Sequence, residues 1–360
     1  DPLFCNGQET EGREAEEINV YGPHGKEIPA ALSSFQACLG VLSPELVQSL
    51  RAAGYIAPTP IQAHTWPIAA AGNDVIGVAK TGSGKTLAFL VPGIERLRKQ
   101  QKQKQSLPPS GGLPSLLVLA PTRELAMQIE EQAVTFGKPL GVQSVCCYGG
   151  ASRGNQLAAL RWAHLIIATP GRLNDFLDSG QANLSSCFFM VLDEADRMLD
   201  IGFEPQIRRI MAKVPKERQT LLFTATWPRE VRALASAFLV RPIHVQTGKK
   251  NDTLTVNGDI SQHVVILSSD HEKVKHLAEL CAQQGPDDLV LVFCETKRTT
   301  ENLARNLQKQ HQVNTARIHG DLEQWERKAS LDQFRSGKAN VLVATDVAAR
   351  GLDVNGIKVV

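Results

Sequence analysis

Short apolar runs recur along the chain, and each is followed at once by small or polar residues. Val75–Val78 is the first, with Gly77 inside it and a glycine-rich turn after it. A run of this length between turn residues is typical of a strand buried on both faces of a parallel sheet. The same pattern predicts five further strands, near residues 116–120, 142–147, 164–168, 188–192 and 220–223.

Amphipathic segments between these runs predict helices. Ser43 and Pro44 mark the start of one, because serine suits the N-cap and proline the first helical position. Another is expected to end near Gly72, and the next to run from Lys85 to about Lys99. Strands that alternate with helices predict an α/β fold with a parallel, doubly wound sheet. Ligands of such sheets bind at the carboxyl ends of the strands, where the polar clusters of this chain lie.

A second series of elements follows residues 246–258, a polar segment with few large apolar residues and no period. Its predicted strands lie near 263–267, Leu289–Cys294, Thr315–Ile318 and 340–344, with a last one from Ile357, and its helices near 272–283, 298–310 and Gln324–Arg335. The predicted domains are a partly disordered N-terminal extension (1–30), a first α/β domain (31–245), a linker (246–258) and a second α/β domain (259–360). We expect the second domain to be incomplete, because its last strand has only begun where the sequence stops.

Composition narrows the class of protein only a little. The 360 residues are 42% hydrophobic and 21% charged, which is ordinary for a globular chain of two domains. A net charge of +2 does not by itself indicate nucleic-acid binding. No apolar run approaches the roughly 20 residues that span a bilayer, so no membrane partner is expected. The seven cysteines are scattered without a C-x-x-C pair and predict reduced thiols in an intracellular protein, with no cysteine metal site.

The turn after Val75–Val78 carries the residue types of a phosphate cradle. Its glycines let backbone N–H groups approach phosphates, and the following helix adds the partial positive charge of its N-terminus. Lys85 is predicted to reach the β- and γ-phosphates, and Thr86 to bind Mg²⁺. Ala79 stands where the usual motif begins with glycine, so a plain glycine-rich turn with an exposed lysine is the alternative. The predicted nucleotide contacts of the turn are Thr81, Gly82, Ser83, Gly84, Lys85 and Thr86.

Asp193 and Glu194 directly follow an apolar run and therefore face the same edge as the phosphate turn. Asp193 is predicted to hold Mg²⁺, and Glu194 to orient or deprotonate an attacking water. The alternative is that both acids cap the next helix. Asp196 and Thr226 lie on neighbouring strand ends, and we expect them to form a hydrogen bond that couples the nucleotide site to the rest of the domain.

Upstream of the turn, Gln62 is a candidate for recognition of adenine. Its amide can donate and accept, which matches the N6 and N7 edge of the base, and Tyr55 can stack on the ring. The alternative is an ordinary surface glutamine.

A third group of strand-end residues suits nucleic acid. These residues offer backbone N–H, hydroxyl and guanidinium groups, which bind phosphates and riboses rather than base edges. Such a surface binds without sequence preference. The alternative for each is a turn glycine or a capping threonine. The predicted contacts are Thr122, Arg123, Gly149, Gly150, Thr169, Gly171 and Arg172.

Taken together, these segments resemble the DEAD-box RNA helicases of superfamily 2, from about Ile18 to the end of the chain. Residues 54–62 resemble the Q motif, with Phe35 as its upstream aromatic; 79–86 resemble motif I, which has alanine first in this family; and 193–196 read D-E-A-D. The resemblance implies two tandem RecA-like domains, ATP and Mg²⁺ as cofactors, and RNA-dependent hydrolysis with local unwinding. Protein partners of unspecified kind are also expected.

Residues 344–353 resemble motif V, so Asp353 is expected to touch the ribose, and Thr345 and Asp346 the RNA. Ile18-Asn19-Val20, Trp66-Pro67 and Trp227-Pro228 are similar to the p68-like subgroup. That resemblance favours the nucleus over the cytoplasm as the location.

Two departures from the family pattern affect the expected activity. Motif III usually reads S-A-T, but here it is Thr224-Ala225-Thr226, and Thr226 keeps the catalytic hydroxyl. No H-R-x-G-R-x-x-R segment follows Asp353, so we expect this polypeptide to be a weak hydrolase. A non-catalytic, ATP-gated RNA clamp, a DNA-directed helicase and a small-molecule kinase are the competing functions.

Overall fold

The computed structural model describes residues 18–23, 25–103, 113–248, 261–285, 288–345, 354 and 356–360. The chain forms two compact units, Asp1–Thr253 and Leu254–Val360. Within the described residues, no helix is long and apolar enough to cross a membrane.

The first unit contains eight strands and ten α-helices within the residues described. The strands are β1 (Ile18–Tyr21), β2 (Val75–Val78), β3 (Leu116–Leu119), β4 (Ser144–Cys147), β5 (Leu165–Ala168), β6 (Phe189–Leu192), β7 (Gln219–Thr224) and β8 (Ile243–Thr247). The helices are α1 (Phe35–Cys38), α2 (Pro44–Ala52), α3 (Pro60–Ala70), α4 (Lys85–Gln103), α5 (Arg123–Gly137), α6 (Arg153–Leu160), α7 (Pro170–Asp178), α8 (Ala195–Asp200), α9 (Glu204–Met211) and α10 (Arg229–Phe238).

These strands form one sheet in the order β1-β8-β2-β7-β6-β3-β5-β4. Every pairing from β8 to β4 is parallel, whereas β1, the outermost strand beside β8, runs antiparallel to it. The parallel strands from β2 to β4 in this order therefore have their carboxyl ends along one edge of the sheet. The polar segments that follow these strands lie together at that edge.

Alternating strand residues face two hydrophobic cores, as the two-residue period of a strand requires. Val75, Val118 and Leu221 pack with residues of α1 to α5 on one face. Ile76, Leu117 and Leu222 pack with residues of α6 to α10 on the other. The sheet is thus covered on both faces, which explains why its strands read as continuous apolar runs.

The second unit repeats this architecture on a smaller scale. Its strands are β9 (Leu289–Cys294), β10 (Thr315–Ile318), β11 (Val341–Thr345) and β12 (Ile357–Val359), and its helices are α11 (Asp270–Ala282), α12 (Lys297–Gln310) and α13 (Gln324–Arg335). The sheet has the order β10-β11-β9-β12 and is parallel throughout. Helix α13 contributes to the core on one face, and α11 and α12 to that on the other.

Three predictions about the elements need correction. Residues 263–267 form no strand, and Val264 and Ile266 are 89% and 93% exposed, so their apolar character does not reflect burial. Strand β1 lies within the predicted N-terminal extension, yet it belongs to the first sheet. Strand β8 extends to Thr247 and therefore overlaps the start of the predicted linker, most of which, with residues 1–17, lies outside the described residues.

Candidate functional site

The glycine-rich turn joins β2 to α4 and has a backbone that only glycine adopts without strain. Gly82 and Gly84 have φ angles of +79° and +91°. A Cβ on Gly84 would lie 2.5 Å from Nε2 of Gln62, so the turn also packs closely against α3. Lys85 begins α4, is buried, and donates from Nζ to the carbonyl oxygen of Ala79 at 2.6 Å. The exposed lysine of the alternative reading is therefore wrong.

Both ends of the Gln62 side-chain amide form hydrogen bonds within the protein. Its Oε1 accepts from the Thr59 backbone N–H at 3.0 Å, and its Nε2 donates to the Gly84 carbonyl at 3.0 Å. The first bond completes a capping box at the start of α3. At 2% exposure Gln62 is not a surface residue, and it joins α3 to the phosphate turn. Its contact with adenine stays a prediction.

The two aromatic candidates for adenine stacking lie against the protein. Phe35 is 3% exposed and belongs to the core. The Tyr55 ring is half-buried and packs against Phe136, with 6.1 Å between ring centroids. Both assignments as nucleotide contacts stay predictions, and Phe35 offers a ligand very little surface.

The two acids after β6 are shielded from water to different extents, since Asp193 is buried and Glu194 is half-buried. Asp193 is 2% exposed. Burial raises its pKa to about 7, although the charge of Lys85 opposes this increase. Burial also raises the pKa of Glu194, which has a left-handed backbone with φ of +50°. Such a conformation is costly for a residue with a side chain and is often found at functional sites. Glu194 stands at the N-cap of α8 but makes no side-chain cap bond there.

Thr226 is bonded to Asp196, as the sequence predicted. Asp196 Oδ2 accepts from both the Thr226 backbone N–H at 2.9 Å and the Thr226 hydroxyl at 2.8 Å. Thr224 adds two contacts that the sequence reasoning missed. Its hydroxyl donates to the Thr226 carbonyl at 2.9 Å, and its carbonyl accepts from the Ala79 N–H at 3.0 Å. The segment after β7 is therefore joined on one side to the phosphate turn and on the other to α8.

Two oxygen-bearing side chains, those of Thr86 and Asp193, are suitable ligands for Mg²⁺. Thr86 supplies one hydroxyl on the first turn of α4, and Asp193 one buried carboxylate. The described residues contain no cluster of three His, Cys, Asp or Glu side chains that could hold a metal. Mg²⁺ is commonly held by only one or two protein oxygens, with nucleotide phosphates and water completing its octahedron. The donor set thus suits a metal that arrives with a nucleotide.

The predicted nucleic-acid residues lie at three neighbouring strand ends. A Cβ on Gly150, after β4, would lie 2.6 Å from Nη1 of Arg123, so this guanidinium covers the Gly149–Gly150 turn. Arg172 Nη1 donates to Gln156 Oε1 at 2.9 Å, and Gln156 Nε2 donates to the Tyr148 carbonyl at 3.0 Å. Gln156, which no motif indicated, is therefore one of the contacts that orient Arg172.

The capping alternative applies to one of the two threonines. The Thr122 hydroxyl accepts from the Leu125 N–H at 3.2 Å and caps α5. Thr169 stands at the N-cap of α7 without a side-chain cap bond, and Gly171 follows in the first turn. In the second unit, Thr345 ends β11 and is 8% exposed. Asp346 and Asp353 lie outside the described residues.

Comparison with protein families gives two matches along the chain. Residues 59–234 match the DEAD/DEAH box helicase family, and residues 272–360 match the helicase conserved C-terminal domain. Similar curated proteins include DEAD-box ATP-dependent RNA helicase 14 of Arabidopsis thaliana, 48% identical over 93% of this chain and 52% of its own length. ATP-dependent RNA helicase p62 of Drosophila melanogaster is 46% identical over 97% of this chain and 47% of its own length. The chain thus spans about half the length of these relatives.

Solved structures show the same similarity. The yeast DEAD-box splicing factor Prp28 aligns with a TM-score of 0.60 and 32% identity, covering 94% of this chain and 76% of that chain. Prp28 from Chaetomium thermophilum, bound to ADP, aligns with a TM-score of 0.57 and 36% identity, covering 94% of this chain and 78% of that chain. The comparison of structures therefore indicates the same family as the comparison of sequences.

Proposed function

Because the chain belongs to the DEAD/DEAH box helicase family, we propose that it acts as an ATP-dependent RNA helicase. In this function it binds ATP with Mg²⁺, hydrolyses it to ADP and phosphate, and locally unwinds or remodels RNA. The observation that supports the proposal best is the hydrogen-bonded path at the edge of the first sheet. It runs from Lys85 through Ala79 and Thr224 to Thr226 and Asp196.

The path matters because it joins Lys85, which is proposed to bind the nucleotide, to Thr226 and Asp196, which are proposed to respond to nucleotide binding. Lys85 gives up its contact with the Ala79 carbonyl to bind phosphate oxygens, as an ammonium at a helix N-terminus is suited to do. Asp193 is the candidate ligand for the metal that accompanies ATP. Burial disfavours its charged form and the charge of Lys85 favours it, and a bound metal would favour the charged form further. When bound, Mg²⁺ neutralises charge on the transferred phosphoryl group. Glu194 is then the candidate base for the attacking water.

RNA binding is proposed for the surface formed by Arg123, Gly149–Gly150 and Arg172. Guanidinium groups and glycine backbone suit phosphates and riboses, so the affinity should be largely independent of sequence and should fall with salt. Protein partners and a nuclear location are further proposals, which rest on the resemblance to p68-like helicases.

Two substitutions test the proposed hydrolysis. Lys85→Ala should abolish nucleotide binding, whereas Glu194→Gln should bind nucleotide but hydrolyse it about 10²–10⁴-fold more slowly, because it lacks the base. Glu217→Gln is the matched control, since Glu217 is exposed and precedes β7 at the opposite edge of the sheet. RNA-stimulated phosphate release by Glu194→Gln at the wild-type rate would contradict the proposal.

The rate of the unaltered polypeptide separates a helicase from an ATP-gated clamp. The sequence contains no H-R-x-G-R-x-x-R segment, and arginines that reach the γ-phosphate are worth about 10³–10⁵ in rate in related enzymes. We therefore propose that the 360-residue polypeptide hydrolyses ATP slowly by itself. Adding an arginine-containing segment of this kind should restore turnover and strand displacement. Nucleotide-dependent RNA binding that gains no turnover would favour the clamp.

A further inference from the structure

Strand β1 brings an aromatic side chain, Tyr21, into contact with the rest of the first unit. Its four residues pair with β8 in antiparallel register, and Tyr21 lies opposite His244. The two ring centroids are 5.8 Å apart with planes tilted by 57°. Ile18 and Val20 point the other way and pack against a core of the first unit. The two faces of β1 therefore have different contacts.

His244 continues this contact to Trp227. Their ring centroids are 4.8 Å apart, and their planes are tilted by 50°. His244 is half-buried, and its Nε2 is buried without a hydrogen-bond partner among the described atoms. Burial lowers the pKa of His244, which favours the neutral ring. Tyr21, His244 and Trp227 thus form a continuous series of tilted aromatic contacts, which is called the aromatic cluster below.

Trp227 is the residue directly after Thr226. Its backbone carbonyl accepts from Arg232 Nε at 3.2 Å, so the chain beyond Thr226 is also held by α10. Thr226 itself is exposed, and its N–H and hydroxyl both bond to Asp196. An exposed residue that must keep two bonds to one carboxylate needs its backbone fixed by a neighbour. Thr224 provides one such contact through the bond from its hydroxyl to the Thr226 carbonyl, and Trp227, which is half-buried, provides the second.

We propose that Tyr21 and His244 are positioning residues for Trp227 and thereby hold Thr226 in hydrogen-bonding reach of Asp196. Strand β1 would then be part of the device that couples ATP hydrolysis to the rest of the first unit, rather than an appendage to it. The structural part of the proposal stands by itself, and the effect on turnover rests on the proposed helicase function.

Hydrogen exchange in the complete 360-residue protein tests the structural part. Thr226 N–H donates to Asp196, so its exchange rate reports the bond directly. We expect His244→Ala and Tyr21→Ala to speed exchange of the backbone N–H groups of residues 224–227 about tenfold, because each removes one ring from the aromatic cluster. His244→Phe and Tyr21→Phe keep a ring and should restore slow exchange. Asn19→Ala, on the same face of β1, is the control and should leave the rate unchanged.

Tyr21→Ala keeps the test informative if His244→Ala does not fold, since Tyr21 is 39% exposed and at the sheet edge. Unchanged exchange at residues 224–227 in a folded Tyr21→Ala protein would overturn the proposal. Equal acceleration in Asn19→Ala would also overturn it, because loss of β1 in general, not loss of the ring, would then be the cause.

Turnover provides the second measurement. With RNA present, Tyr21→Ala should reduce kcat for ATP severalfold and leave KM within about twofold, because the phosphate turn is not altered. If the wild-type protein shows no ATP hydrolysis even with the arginine-containing segment added, the proposed function fails, while the exchange result still decides the role of the aromatic cluster. If exchange accelerates but kcat is unchanged, the link to coupling is wrong.

Discussion

Gln62 uses both ends of its side-chain amide to join the start of α3 to the carbonyl of Gly84. Replacing it with glutamate keeps the acceptor for Thr59 but turns an oxygen toward the Gly84 carbonyl. A buried unsatisfied acceptor costs about 1–3 kcal/mol. We therefore expect Gln62→Glu to weaken ATP binding on the order of tenfold, measured by calorimetric titration with Mg-ATP.

GTP is the control for this substitution. If Gln62 acts by shaping the phosphate turn, its replacement should weaken ATP and GTP binding by similar factors. If it acts by reading adenine, only ATP binding should fall and the preference between the nucleotides should disappear. The bonds to Thr59 and Gly84 favour the first result.

His164 provides a pH-dependent contribution to stability. It is 9% exposed, and its Nδ1 accepts from the Gln143 N–H at 3.1 Å. Burial lowers its pKa below the usual 6.5, so the folded protein holds it neutral. As the pH falls through this value, the unfolded chain takes up the proton first and the folded state loses stability. At about pH 5.5 the loss from this residue is at most about 1.4 kcal/mol.

The measurement compares wild type with His164→Asn, whose side-chain oxygen can keep the bond to Gln143. We expect urea unfolding between about pH 7.5 and 5.5 to show a smaller loss of stability in the variant. His311→Asn, at an exposed position, should show the wild-type loss. An unchanged pH dependence in His164→Asn would mean that other groups cause it.

Contacts between residues at strand ends could be predicted from the sequence, whereas a contact to a residue inside a helix could not. The bond between Asp196 and Thr226 followed from two neighbouring strand ends, because a parallel sheet brings those ends together. The bond from Arg172 to Gln156 had no such signal, since Gln156 lies within α6 and its direction depends on how that helix packs. The internal bonds of Gln62 were missed because its motif suggested a ligand instead.

The ring of Phe223 in β7 covers Gly77 in the neighbouring strand β2 and leaves no room for a side chain there. A Cβ on Gly77 would lie 2.5 Å from Cε1 of Phe223. Extra volume in a packed core typically costs about 1–3 kcal/mol. We expect Gly77→Ala to lower the free energy of urea unfolding by this amount, and Phe223→Leu to recover part of it in the double variant.

Gly154 in α6 is the matched control. A Cβ there would have nothing within 4 Å, and its φ is negative, so alanine should stabilise the helix by about 0.5–1 kcal/mol. Opposite signs for the two glycine-to-alanine changes would support the packing argument. A loss of similar size in both would show that alanine is disfavoured for another reason.

Several elements of the second unit have the bounds that the sequence predicted. Strand β9 is a continuous apolar run, strand β10 is a short run between polar segments, and helix α13 is an amphipathic segment. Strand β1 was missed because it is a short edge strand. Its partner among the described strands, β8, lies more than 200 residues away, and pairing at such a distance leaves no local pattern. The run at 263–267 was misread because apolar residues that stay exposed have the same pattern as buried ones.

Each compact unit has its own pair of cores, and the described nucleotide candidates all lie in the first. A ligand stabilises only the structure it binds, by about 2.7 kcal/mol at 100 times its Kd. We therefore expect Mg-ADP without RNA to slow hydrogen exchange in β2, α4 and the segment after β7, and to leave β9 to β11 unchanged.

Adding RNA and a non-hydrolysable ATP analogue should extend this protection to the second unit if the proposed helicase function is correct, because that function depends on the second unit as well as the first. Lys85→Ala is the control and should lose protection in both conditions. Protection of β9 to β11 by Mg-ADP alone would contradict the prediction and would favour a ribose contact from Asp353. Protection that never reaches the second unit, even with RNA, would argue against a function that depends on both units, since one unit would then bind every ligand without the other.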